Sequence, residues 1–190
     1  MESVTLAGRL GTTAHLSPLL MKARRLGLGS PGDLERLAVK RGLRYYDSHG
    51  DSQQVSVALS GNAECGMELG LTNEELAIAL LSPSAPYSQQ RLRMGAAMLA
   101  AEGNRAESLA SLALRERCGT VVRHIAECGH DVEPANPFWK CLLERLPANT
   151  SPPRADTLPH PSRFVAMTGL TRNGVENIKQ WIRPRTPLSP

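Results

Sequence analysis

Three groups of residues in this chain have types and spacings suited to chemistry. The run Asp47-Ser48-His49-Gly50-Asp51-Ser52 sets carboxylates beside an imidazole. Hard oxygen ligands with a histidine suit a catalytic divalent metal. Cys118, His124, Cys128, His130 and Cys141 form a second group. His124 and Cys128 are four apart, so on a helix they share a face and could co-ligate zinc. Structural zinc sites usually carry cysteine pairs two residues apart, and the sequence has none. Free cysteine behaves as a small buried hydrophobe, and Cys128 and Cys141 suit core positions. The third group is cationic: Lys40, Arg41 and Arg44 beside Tyr45 and Tyr46, then Arg172, Asn173, Lys179 and Arg183 towards the C-terminal end. Side chains of these types bind phosphates and base edges.

Two resemblances bear on the polar loop. Asp47-x-His49 resembles the first metal-binding motif of metallophosphatases, and Gly61-Asn62 resembles a later one; that implies a metal-dependent hydrolase. The family's middle motif is absent and Asn62 follows too soon. Gly50-Asp51-Ser52 is similar to the start of an esterase motif, without its preceding buried strand or its downstream Asp-x-x-His. Asp, Ser, Gly and His are also what turns favour, so the loop is read as a polar turn. No catalytic residue, metal or cofactor is assigned.

The C-terminal cations carry a different resemblance. Thr168-Gly169-Leu170-Thr171-Arg172 is similar to the turn of bacterial DNA-binding regulators. It implies a helix-turn-helix-like pair over 164–182, with Val175 and Ile178 inward on the second helix. Arg172, Asn173, Glu176 and Lys179 would then reach the major groove. Gly174 weakens such a helix by about 1 kcal/mol relative to Ala. Two short helices also bury too little to fold alone. The alternative is an amphipathic helix whose Val175, Ile178, Trp181 and Ile182 pack on the body.

The elements that must position these groups are mostly helical. Thr72 with Glu75 forms a capping box, and Leu76, Ala77, Leu80 and Leu81 follow, up to Ser82-Pro83. Leu92, Ala96 and Leu99 recur at helical spacing before Gly103. Ala106, Leu109, Leu112 and Ala113 make a third stripe, which Arg115-Glu116-Arg117 ends. Val121, Val122, Ile125 and Ala126 make a fourth, which Gly129 should terminate. Asn136-Pro137 starts a fifth helix, with Phe138, Trp139, Leu142, Leu143 and Leu146. Five short helices with tight connections pack as a helical-hairpin bundle or a solenoid fragment. Upstream, Val4 to Leu10 reads as a short strand, and Ser17-Pro18 and Ser30-Pro31 begin helices. Leu43 to Tyr46 and the alternating Val55 to Ser60 suggest a β-hairpin around the polar loop.

The fold class expected is therefore mainly α: a helical-hairpin bundle with a small N-terminal β-hairpin and a C-terminal helix-turn-helix-like pair. Residues 1–71 form a basic α/β segment and 72–146 the helical core. A linker covers 147–163, where five of seventeen residues are proline. The helix-turn-helix-like module spans 164–182, and 183–190 is a Pro/Arg tail in which Pro184-x-x-Pro187 could meet a polyproline-binding domain.

Charge is segregated along the chain. Residues 1–46 hold eight Lys/Arg against three Asp/Glu, residues 47–162 nine against fourteen, and residues 163–190 five against one. An acidic body sits between basic ends, which bears on partners rather than fold. No apolar run reaches the roughly 20 residues a membrane helix needs, and no signal-peptide core is present. Four cysteines without an export signal suggest free thiols, so a cytoplasmic protein without a membrane partner is expected. The leading function is a nucleic-acid-binding or regulatory protein using Arg172, Asn173, Lys179 and Arg183, with Lys40, Arg41 and Arg44. The alternative is a helical protein-interaction module or adaptor without nucleic acid. A metal-dependent hydrolase using the Asp47–Asp51 loop is the remote third class.

Overall fold

A computed structural model describes residues 5–13, 15–41, 43–45, 70–101, 103–148, 157–159, 167–168, 170–172 and 175–177. Eight helices are formed among them: α1 (Leu6–Leu10), α2 (Pro18–Arg25), α3 (Pro31–Lys40), α4 (Asn73–Leu80), α5 (Gln89–Leu99), α6 (Ala106–Arg115), α7 (Gly119–Val132) and α8 (Pro137–Arg145). Four short strands complete the described elements: β1 (Arg44–Tyr45), β2 (Met167–Thr168), β3 (Leu170–Arg172) and β4 (Val175–Asn177). The protein is mainly helical.

Local chemistry starts most of the helices. Ser30 with Asp33 and Thr72 with Glu75 form reciprocal capping boxes at α3 and α4. Ser17 accepts from the Leu20 amide at the start of α2, and Asn136 accepts from Phe138 at the start of α8. Proline follows the cap in α2, α3 and α8, where its missing N–H costs nothing.

Helix α4 lies at the centre. Its Leu76, Ala77, Ile78, Ala79 and Leu80 are all buried, so it is apolar all round, and α2, α3, α5 and α6 pack against it. In a solenoid each unit meets only its neighbours; a helix enclosed by four others makes this a bundle. Gly95 permits the α4–α5 crossing, because a Cβ there would stand 2.7 Å from Leu81 Cδ2. Helices α6, α7 and α8 pack together, with Leu109, Val121, Ile125, Trp139 and Leu142 buried in the shared core and Leu143 partly buried against it.

Four expectations are corrected. Residues from Leu6 form α1 rather than a strand. Thr5 caps this helix, and its Leu6 and Ala7 amides donate to the carbonyls of Ala85 (3.2 Å) and Pro83 (2.9 Å). Gly129 does not end α7, which runs on to Val132, because tertiary packing at Gly129 outweighs its weak helix propensity. The N-terminal hairpin is not supported: β1 pairs with β2, Arg44 opposite Thr168 and Tyr45 opposite Met167, and residues 46–69 lie outside those described. The helix-turn-helix-like pair is replaced, among the described residues, by an antiparallel ladder. Leu170 pairs with Asn177, Thr171 with Glu176 and Arg172 with Val175. Asn173-Gly174, between the paired Arg172 and Val175, is the dipeptide favoured by two-residue hairpin loops. Thr171 and Val175 are β-branched and prefer extended backbone.

Part of the proline-rich linker is packed. Thr157 and Leu158 are buried, and Tyr87 Oη donates to the Thr157 carbonyl at 2.9 Å.

Candidate functional site

The cations picked out in the sequence meet different fates. Lys40 is exposed in the last turn of α3. Arg41, the next residue, is half-buried and turned to the fold: Nη1 donates to Asn73 Oδ1 at 2.8 Å and Nη2 donates to the Leu71 carbonyl. Those bonds tie the end of α3 to the start of α4, a structural task that the sequence did not signal. Arg44 lies on β1 and Arg172 on β3. Asn173, Lys179 and Arg183 lie outside the described residues.

What brings the two basic regions near each other is the β1–β2 ladder. Arg44 is opposite Thr168, four residues before Arg172 in the chain. Strand neighbours are about 4.8 Å apart, so backbone pairing sets the segment that follows Lys40 and Arg41 beside the one that leads to Arg172. One short segment from each basic end, more than a hundred residues apart in sequence, is thus paired.

Other cations of the N-terminal region are split between pairing and solvent. Lys22 Nζ donates to both carboxylate oxygens of Glu75, at 2.8 and 2.7 Å. Burial pushes the Glu75 pKa up, but the Lys22 and Thr72 hydrogen bonds outweigh it and hold the carboxyl below its ordinary value. Arg36 pairs with Asp33 on the same helix. Arg24 and Arg25 are exposed at the end of α2.

The cysteine–histidine group does not converge. His124 Nε2 and Cys128 Sγ lie 3.8 Å apart on α7, the shared face that their spacing predicts. Cys118 is buried before α7, while Cys141 on α8 donates to Glu107 Oε1 at 3.3 Å. Among the described residues no three His, Cys, Asp or Glu side chains are grouped to hold a metal ion. Burial pushes the Cys128 thiol up to about 11 and that of Cys118 higher still, so neither is a ready thiolate. Burial also lowers the His124 pKa, against the raising effects of Glu127 and a backbone hydrogen bond with Pro159. The Asp47–Asp51 loop, with Gly61-Asn62 and Cys65, lies outside the described residues.

In the sequence Glu116 belongs to the charged run Arg115-Glu116-Arg117 that ends a helix. It is instead wholly buried, and it accepts from Ser17 Oγ at 2.5 Å and from the Leu19 amide at 3.1 Å. Its carboxylate thus caps the first turn of α2 from across the fold, where a negative group is favoured by the helix dipole. No signal local to residues 115–117 marks this role.

No described helix is long and apolar enough to cross a membrane. The chain matches no known protein-family profile, and no curated protein or solved structure shows significant similarity to it.

Proposed function

We propose that this protein binds nucleic acid through a basic surface built from both ends of the chain, with the acidic helical body as its frame. The observation that supports this reading is the antiparallel pairing of Arg44 with Thr168 and Tyr45 with Met167. It draws together segments from regions that hold eight cations against three acids and five against one. Gathering like charges costs repulsion that a polyanion relieves, with counterion release as the driving force. Lys40, Arg44 and Arg172 carry the interaction, followed in sequence by Asn173, Lys179 and Arg183. Arg41 supports the surface from within, since its guanidinium bonds to Asn73 and Leu71.

The ladder at 170–177 offers no recognition helix to the major groove. The clustered cations make phosphate the expected contact, and such contacts position the protein without reading sequence directly. The test is a titration of labelled duplex DNA and single-stranded RNA at about 50 and about 200 mM salt. Affinity should fall steeply with salt for at least one of them. Absent or salt-independent binding would refute the reading.

A further inference from the structure

One stretch of this chain is buried against its composition. Residues 147–163 include five prolines, and Leu158 is their only large apolar side chain. Such a stretch reads as a linker, yet Thr157 is 1% and Leu158 6% exposed, and Pro159 is buried beside them. These three residues form neither helix nor strand. Leu158 nevertheless joins the core made by the helices. One leucine in a proline-rich, polar run has the form of a short recognition motif, in which a single anchor fills a pocket.

The body holds this stretch through side chains that bond to its backbone. Tyr87 Oη, in the connection between α4 and α5, donates to the Thr157 carbonyl at 2.9 Å. His124 on α7 forms a hydrogen bond with the Pro159 backbone. Proline has no N–H, so the imidazole donates to the carbonyl. The two bonds fall on the residues either side of Leu158, and their donors come from separate elements of the body. Arg9 of α1 lies over the Tyr87 ring, 4.4 Å from its centroid, and holds the phenol in place. Backbone bonds around one buried side chain are how grooves hold short peptides: the bonds give affinity and the pocket gives specificity. Pro159 suits the role, because it restricts the Leu158 backbone and brings no amide to be left unpaired on burial.

We propose that the seat between Tyr87 and His124 is a peptide-recognition site for a leucine-proline segment, and that the chain's own Thr157-Leu158-Pro159 fills it as an intramolecular ligand. The tether to α8 gives the resident segment a high effective concentration, so it excludes competitors. A partner bearing the same segment displaces it and detaches the chain that leads to β2 and the basic residues of 163–190. The site is thereby autoinhibited. This inference does not depend on the nucleic-acid reading, which concerns Lys40, Arg44 and Arg172.

The probe is a labelled synthetic peptide of residues 153–163, and the same peptide with serine for its leucine is the control. Both are titrated into full-length wild-type protein and into full-length Leu158→Ser, whose own segment no longer holds the seat. The native peptide should bind Leu158→Ser about tenfold or more tighter than it binds wild type. The control peptide should bind neither. Adding Tyr87→Phe, which keeps the ring under Arg9 but removes the donor, should weaken binding to Leu158→Ser about fivefold. Equal affinity of wild type and Leu158→Ser for the native peptide, binding to neither, or equal binding of the two peptides would overturn the proposal. Loss of cooperative thermal unfolding in Leu158→Ser would also overturn it, by making the segment part of the core rather than a ligand. So would a wild-type dimer that Leu158→Ser dissociates, since the segment would then sit in a second copy.

Discussion

Trp139 lies directly on Gly129: a Cβ at Gly129 would stand 2.6 Å from Cδ2 and Cε2 of the indole. The ring is fully buried, Nε1 donates to Glu133 Oε2 at 2.9 Å, and Phe138 meets it edge-on at 4.8 Å. Elsewhere in a helix, Gly→Ala stabilises by about 1 kcal/mol. Here the methyl group must displace a ring packed on all sides, so Gly129→Ala should destabilise by about 1–3 kcal/mol. Urea unfolding decides it. A stabilised variant would mean that the indole is not held against α7.

Trp139→Ala removes the largest side chain of the α6–α7–α8 core and one of the two donors to Glu133 Oε2, leaving Asn136 Nδ2. A loss of about 3–5 kcal/mol is expected. If the thermal midpoint barely moves, the indole is at the surface in solution.

Ser17 and Glu116 should be energetically coupled. In a cycle of Ser17→Ala and Glu116→Gln, an interaction energy of about 1 kcal/mol or more is expected for neighbours in one network. Glu116→Ala should cost about 1–3 kcal/mol, since it leaves the Leu19 amide buried without an acceptor. Additive single effects would show that α2 docks without this bond.

His124 sets a pH dependence. Burial holds its pKa below the ordinary 6.5, so the unfolded chain takes up a proton before the folded one does. Stability is then complete above pH 6.5 and falls as pH drops from there through the folded value. His124→Gln should flatten the midpoint-against-pH curve over that interval. A wild-type curve with no decline there would show that the imidazole is solvated.

Lys40 and Arg41, adjacent in sequence, should separate binding from folding. Lys40→Ala should leave stability unchanged within about 0.5 kcal/mol and reduce the salt slope of nucleic-acid binding by about one. Arg41→Ala should cost about 1–3 kcal/mol of stability, since the Leu71 carbonyl and Asn73 lose their donor. Equal effects on affinity, with no loss of stability, would place both side chains on the binding surface.

Sequence alone determined the features whose causes lie within a turn or two of chain. The capping boxes at Ser30 and Thr72 and the Asn136-Pro137 start are satisfied by residues up to three positions away. Apolar spacing likewise marked Leu109, Val121, Ile125 and Leu142 as core. Asn173-Gly174 between Arg172 and Val175 was also local and legible, but the turn-like run at 168–172 pointed to helices instead. Tertiary structure decided whatever depends on a distant partner. Gly129 is a helix stop by propensity and becomes a helix interior because Trp139 covers it. Arg41 and Glu116 carry charges that composition assigns to solvent, yet their partners are Asn73 and Leu71 for one and Ser17 and Leu19 for the other. The pairing of β1 with β2 joins residues more than a hundred positions apart, and a two-residue strand has no pattern from which its register could be read. Burial and register are set by what the rest of the chain places opposite a residue, and no window of neighbouring residues contains that information.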